Sequence, residues 1–191
     1  MSDTWAVSPS AENTTFFRAA TPIAGAGALA LLQTDTSVNT CGYKLIITAS
    51  TTAVARTFTI IGTVVGQPAG PVTEVITGPA TTVLTTNYWV SITSISCDAA
   101  FASNISIGIS GNLALPRCRI KTVYAVGAAA AGSVSVAMAV SGKVIVNLDT
   151  PASVAAVCRL DTESIPVYAV TPSDFGIVTL TQVTKATLIC G

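Results

Sequence analysis

Apolar and small polar residues alternate with a period of two in several parts of the chain. Residues 104–110 alternate Ile with Ser and Gly, and residues 133–140 alternate Val or Met with Ser or Ala. In residues 119–126 the even-numbered positions, from Ile120 to Val126, fall on one face. This period is that of a β-strand with one buried face.

Turn-forming residues separate these segments at short intervals. Gly and Pro cluster in residues 66–71 and 77–79, and further breaks fall at 110–112, 141–143 and 171–174. Short strands with turns every ~8–12 residues are typical of a β-sandwich or barrel. We predict strands at 43–49, 56–65, 72–77, 82–85, 88–96, 104–110, 119–126, 133–140, 143–148, 154–160, 165–170, 176–182 and 185–190.

A proline near the middle of the chain divides these strands into two groups of similar size. Pro116 has no N–H to donate, so the strand before it must stop. We therefore predict an all-β fold of one or two β-sandwich domains, jelly-roll-like, covering residues 41–113 and 114–191. One continuous jelly roll is the alternative.

The first 40 residues carry apolar side chains that have no clear place in a compact domain of their own. Trp5, Phe16 and Phe17 are the aromatic ones. One interpretation is an extended N-terminal arm, residues 1–40, that packs these three side chains on a neighbouring subunit as assembly contacts. The other is a first strand and loop of the same domain.

Charged residues are few and balanced, which changes the picture of the surface. The chain has nine Lys and Arg and nine Asp and Glu, and together these are only 9% of its residues. An ordinary soluble domain has about 25% charged residues. A free monomer usually needs more surface charge to stay dissolved. We infer that much of the exterior is covered by copies of the chain or by another protein.

The same composition argues against nucleic acid and membrane partners. A net charge of zero gives no attraction to either polyanion. The basic cluster of Arg117, Arg119 and Lys121 is expected to pair with an acid or lie in solvent. Residues 122–142 are uncharged and long enough to span a bilayer, but their alternation indicates a strand. The chain opens without the pattern of a signal peptide.

Residues suited to catalysis or to metal binding are scarce. The chain has no His, so no Ser has the usual base to activate it, and residues 25–27 match no phosphate-binding loop. Asp149, Asp161 and Glu163 are the candidate ligands for a hard cation, but we expect a solvated loop there. We therefore predict no enzymatic activity, no cofactor and no metal.

The five cysteines have wide and irregular spacings, and none forms the CxxC pair of a structural zinc site. They fit buried thiols that act as small hydrophobic side chains. They also fit disulfides, and the odd number would then leave one for an inter-chain bond. The candidates are Cys41, Cys97, Cys118, Cys158 and Cys190.

Two groups of segments resemble β-modules in structural proteins of tailed bacteriophage particles. The first group reads FTIIGT at 58–63, EVITGP at 74–79, YWVSITSI at 88–95 and ISIG at 105–108. The second reads IPV at 165–167, GIVTLT at 176–181 and TLIC at 187–190. The resemblance implies a non-enzymatic virion protein, most concretely a capsid decoration or cement protein that clamps adjacent capsomers, and it carries no catalytic residues.

The same resemblance implies partners and a location. The partners would be copies of the chain, as a trimer, and the major capsid protein. The location would be the capsid surface, after synthesis in the host cytoplasm. The alternatives are a neck, collar or tail-fibre component, or a carbohydrate-binding module of a host-recognition fibre. A carbohydrate site needs an aromatic platform, for which the adjacent Tyr88 and Trp89 would face opposite sides of a strand.

Overall fold

The computed structural model describes residues 5–7, 12–34, 41–51, 55–67, 70–116, 118–139, 141–159, 165–167 and 175–190. The regular structure within them is entirely β, which confirms the predicted fold class. Each predicted strand overlaps a strand of the structure, while residues 140, 160 and 168–170 of the predicted strands lie outside the described residues. The strands are β1 (Trp5–Val7), β2 (Asn13–Ile23), β3 (Gly27–Ala28), β4 (Gly42–Ala49), β5 (Arg56–Val64), β6 (Val72–Gly78), β7 (Thr82–Leu84), β8 (Trp89–Cys97), β9 (Phe101–Leu115), β10 (Cys118–Gly127), β11 (Gly132–Met138), β12 (Val144–Thr150), β13 (Ala155–Arg159), β14 (Ile165–Val167), β15 (Gly176–Thr181) and β16 (Val183–Cys190).

The chain separates into two compact units. The N-terminal unit contains residues 11–37 and 41–111, and the C-terminal unit contains residues 1–10, 38–40 and 112–191. The division falls within β9, close to the predicted boundary between 113 and 114. Strand β9 itself ends at Leu115, because Pro116 follows. Residues 1–40, predicted as one arm, are shared between the two units.

In the N-terminal unit the strands follow the order β9, β4, β8, β5, β6, with β2 beside β9, β3 beside β8 and β7 beside β4. Strand β5 is antiparallel to both of its neighbours. Alternate residues of the central strands point inward, as the period of two predicts. The largest fully buried side chains of these strands are Leu45, Ile47, Phe58, Ile60, Trp89, Ile92 and Ile95.

Strand β9 is buried on both faces between Ile105 and Ser110, although its sequence predicts burial of the Ile face alone. The second face is covered by β2, which lies against it with several register shifts. A Cβ atom at Gly108 would overlap the carbonyl oxygen of Asn13. Glycine is therefore required where the two backbones approach.

The C-terminal unit contains two packed sheets. One follows the order β12, β11, β15 and the end of β9, and the other follows β1, β16, β10, β13, with β14 also on β10. Each of these strand pairs is antiparallel. Strands of the two sheets contact each other in a sandwich-like arrangement. Its core includes Val123, Ala125, Val134, Val136, Val146 and Leu188.

A β-bulge moves the buried face of β10 by one residue. Ile120 lies opposite Cys190, but Thr122 lies opposite Ile189, so the register shifts between them. Ile120 is buried, and beyond the bulge the buried side chain is Val123 instead of Thr122. The predicted even-numbered face is therefore wrong after Ile120, because a bulge inserts one extra residue.

Candidate functional site

The predicted aromatic contacts of residues 1–40 lie in different surroundings. Phe17 is fully buried in the N-terminal unit, and the half-buried Phe16 meets it edge to face with ring centroids 5.1 Å apart. This is the arrangement of a first strand of the same domain, and it leaves the Phe17 ring without access to a neighbouring molecule. Trp5 lies in β1 opposite Cys190, and its side chain is outside the described residues.

Arg18 links the middle of β2 to β9 and to the end of β2 itself. Its Nη1 donates to the carbonyl oxygens of Thr21 at 2.8 Å and Ile105 at 2.5 Å, and its Nη2 donates to that of Pro22 at 2.9 Å. Partial burial lowers the pKa of Arg18, and nearby Cys97 opposes this change. The guanidinium therefore has a structural role in holding the irregular strand.

The exposed side chains of the described residues are mostly small and uncharged. Fourteen Thr and fifteen Ala are exposed, against only five charged residues. Exposed large hydrophobic side chains are scattered and number five: Leu32, Val75, Leu84, Val144 and Val154. The low charge thus comes with a surface of methyl and hydroxyl groups.

The outer side of β6, β5 and β8 is rich in hydroxyl groups, with Ile61 and Val75 among them. In register across the three strands, Thr77 lies beside Thr57, and Thr59 beside Ser96. Thr63 and Ser91 share a hydrogen bond of 2.7 Å. We call this surface the hydroxyl face; it consists of Thr57, Thr59, Thr63, Thr73, Thr77, Ser91, Ser94 and Ser96. This face was not predicted, although Thr57 and Thr59 lie two residues apart and so share one side of a strand.

Each unit has an edge strand among the described residues. Strand β6 ends the order of the N-terminal unit, and β12 ends that of the C-terminal unit. Val75 in β6 is 59% exposed and Val144 in β12 is 55% exposed. Edge strands usually carry guards such as Lys or Pro. Strand β12 has the exposed Lys143 and Asp149 at its ends, whereas the outward side chains of β6 are uncharged.

The two aromatic residues considered for carbohydrate binding are both inside. Trp89 is fully buried and Tyr88 is 8% exposed. Burial raises the pKa of Tyr88, and the Lys44 Nζ lies 5.3 Å from the centre of its ring. Neither ring is available as a platform for a sugar, so this pair does not support a carbohydrate site.

Cysteines lie in both units. Cys41 and Cys97 are buried in the N-terminal unit, and Cys118 and Cys190 lie in the C-terminal unit, all as thiols. A hydrogen bond with Cys190 lowers the pKa of Cys118, and burial opposes this change. The Cys158 side chain lies outside the described residues. Sequence spacing gave no signal that Cys118 and Cys190 would meet.

The acidic and basic candidates do not come together within the described residues. Asp149 is exposed and accepts a 3.4 Å hydrogen bond from Asn147 Nδ2, while Asp161 and Glu163 lie outside the described residues. No group of three potential metal ligands occurs in the described part. A shallow groove of about 510 Å³ beside Asp149 is lined by Ala131, Gly132, Ser133, Thr150 and Pro151. Lys121 is half-buried, Arg117 is outside the described residues, and so is the Arg119 side chain.

One more structural observation and the comparison with known proteins complete the description of the candidate site. In the part of the chain that the structure describes, no helix has the length and apolar character needed to cross a membrane. Searches against protein families, curated proteins and solved structures found no match to the chain.

Proposed function

We propose that the protein is a non-enzymatic structural component of a tailed-phage virion, most concretely a capsid decoration protein. It would bind the major capsid protein at the shell surface and clamp adjacent capsomers. The observation that carries this proposal is the largely uncharged surface of Thr and Ala. Such a surface favours contact with other proteins over a free monomer in solution. The resemblance of the strand and turn segments to phage modules points the same way.

Within this proposal the hydroxyl face and the β6 edge form the contact with the shell. The residues of this surface are uncharged, and Val75 stands exposed among its hydroxyl groups. The exposed Asp98, next to Thr57, lies just beyond the end of β8. An edge strand also offers backbone N–H and C=O groups to a partner. The β12 edge fits less well, because the exposed Asp149 lies within that strand and would have to be desolvated.

The test uses particles assembled without this chain and mixed with purified protein. Native protein is expected to sediment with the particles, and Val75→Lys to lose most of its binding, because a lysine guards the edge and places a charge in the contact. Val144→Lys is the matched control, an exposed valine on the other edge strand, and should bind as native protein does. Deletion of residues 1–20 is less informative, since it removes β1 and most of β2.

The outcomes separate the function from the proposed surface. Failure of native protein to bind any part of the particle would refute the virion assignment. Binding by Val75→Lys as strong as native would keep the assignment and refute the β6 contact. The copy number in purified particles distinguishes a shell protein, present in many copies, from a neck, collar or tail-fibre component, present in few.

A further inference from the structure

Two thiols meet at the end of one sheet in the C-terminal unit. Cys118 is the first residue of β10 and Cys190 the last of β16. Cys190 lies opposite Ile120, and Cys118 is two residues before Ile120, so it belongs to the same face. Diagonal neighbours of this kind are ~7–8 Å apart, so two short side chains meet only if they turn toward each other. The two side chains are in fact hydrogen-bonded to each other.

The two thiols differ in access to solvent. Cys190 is fully buried, whereas Cys118 is partly exposed. The hydrogen bond with Cys190 lowers the pKa of Cys118, which increases the fraction of its reactive thiolate form. A bulky reagent can therefore react with Cys118 directly. Cys190 can react only with the sulfur of Cys118.

We propose that Cys118 and Cys190 are an oxidisable pair that forms a disulfide with small-molecule disulfides as the oxidant. The Cys118 thiolate attacks one sulfur of oxidised glutathione, whose S–S bond breaks and releases one glutathione thiolate, leaving a mixed disulfide on Cys118. Cys190 then loses its proton to solvent and attacks the Cys118 sulfur, releasing the second glutathione. Two protein thiols are oxidised, and one disulfide is reduced to two thiols.

The bond would join β10 to β16 and close a loop that contains the other strands between them. A cross-link over a long loop stabilises the folded state mainly by restricting the unfolded chain. We expect the melting temperature of the oxidised protein to rise by about 10 °C. The rise should vanish when a thiol reductant is added.

In the test, the full-length folded chain is treated with oxidised glutathione. Its remaining free thiols are then alkylated, and the chain is digested to peptides without reductant for mass spectrometry. We expect native protein to lose the mass of two hydrogens and to yield one linked pair of peptides that contains Cys118 and Cys190. The variant Cys190→Ser should keep one glutathionyl group on Cys118, while Cys118→Ser should leave Cys190 unmodified. Cys97→Ser, in the other unit, is the control and should form the bond as native protein does.

Native protein alone decides the proposal, even if a serine at the buried position prevents folding. A linked pair that involves another cysteine, or folded native protein that retains both thiols, would refute it. Glutathione that remains on Cys118 of native protein would also refute it, because Cys190 would then have failed to attack. An unchanged melting temperature in protein that carries the bond would overturn the stabilising role.

Discussion

Glu74 is a buried acid in the middle of an edge strand. It is 9% exposed, and its carboxylate accepts hydrogen bonds from Thr86 N at 2.6 Å and from Asn87 N and Nδ2 at 3.1 and 2.9 Å. A buried charge is tolerated only when its hydrogen bonds are satisfied. The side chain therefore ties β6 to the turn that precedes β8.

We expect Glu74→Gln to lower the free energy of unfolding of the N-terminal unit by about 2 kcal/mol, because hydrogen bonds to a charged acceptor are the stronger ones. The substitution keeps the shape and brings an amide NH₂ toward existing donors. Urea unfolding followed by tryptophan fluorescence measures the change. Glu12→Gln, at an exposed position of the same unit, should change it by less than ~0.5 kcal/mol; equal effects would contradict the role of Glu74.

Tyr88 should make stability depend on alkaline pH. Burial raises the pKa of Tyr88 above the ordinary value of a tyrosine, so the unfolded chain ionises first as pH rises. The contribution of Tyr88 is therefore complete below about pH 10 and is lost as pH rises through the folded pKa. Urea unfolding between about pH 8 and pH 11 should show a shallower decline for Tyr88→Phe than for native protein. Identical pH profiles would show that Tyr88 is not responsible.

At the scale of elements, local patterns predicted most strands, and contacts between distant segments account for what was missed. Period-two alternation and Gly or Pro breaks located every strand from β4 onward, because these signals are local. They missed β2, whose residues are held by Arg18 and by β9. They also missed the bulge in β10, which depends on its register with β16.

The candidate surfaces follow the same rule. Within residues 57–63 and 73–77 every Thr has an odd number. Side chains two residues apart share one side of a strand, so this spacing is consistent with the hydroxyl face. The meeting of Cys118 and Cys190 depends on which strands pair, and a single sequence does not state that. The same limit applies to Tyr88 and Trp89, which were expected to face opposite sides of a strand and are both buried.

The seating of β2 on β9 can be tested with one methyl group. Gly108→Ala should lower the free energy of unfolding of the N-terminal unit by more than ~3 kcal/mol, because its Cβ overlaps the backbone of β2. Gly111→Ala is the control, since the nearest atom to its Cβ is Glu12 N at 3.8 Å, and should change it by less than ~1 kcal/mol. Equal stability of the two variants in urea would mean that β2 does not lie there.

At the scale of the whole molecule, the exterior sets the expected response to salt. Charges are sparse on the described surface, and screening acts only on charges. Self-association, if it uses this surface, depends on close packing of methyl and hydroxyl groups together with edge hydrogen bonds. Such contacts weaken little as ionic strength rises.

We therefore expect the purified chain to form oligomers, trimers being the specific expectation, whose mass is the same at low and high salt. Size-exclusion chromatography with light scattering over a range of protein concentrations measures this. A monomer at every concentration would contradict self-association. Oligomers that dissociate in salt would show that the few charged residues, and not the neutral surface, hold the copies together.

The pairing of β1 with β16 has a consequence for how the chain is made. Trp5 lies opposite Cys190, so this sheet is complete only after two segments far apart in the sequence have met. Pairing over such a separation is slow, because a long loop must close first. During synthesis, strands β1 and β10 therefore emerge from the ribosome before β16, the strand that lies between them. Until β16 pairs with them, their edges are uncovered, and the nascent chain is prone to aggregation.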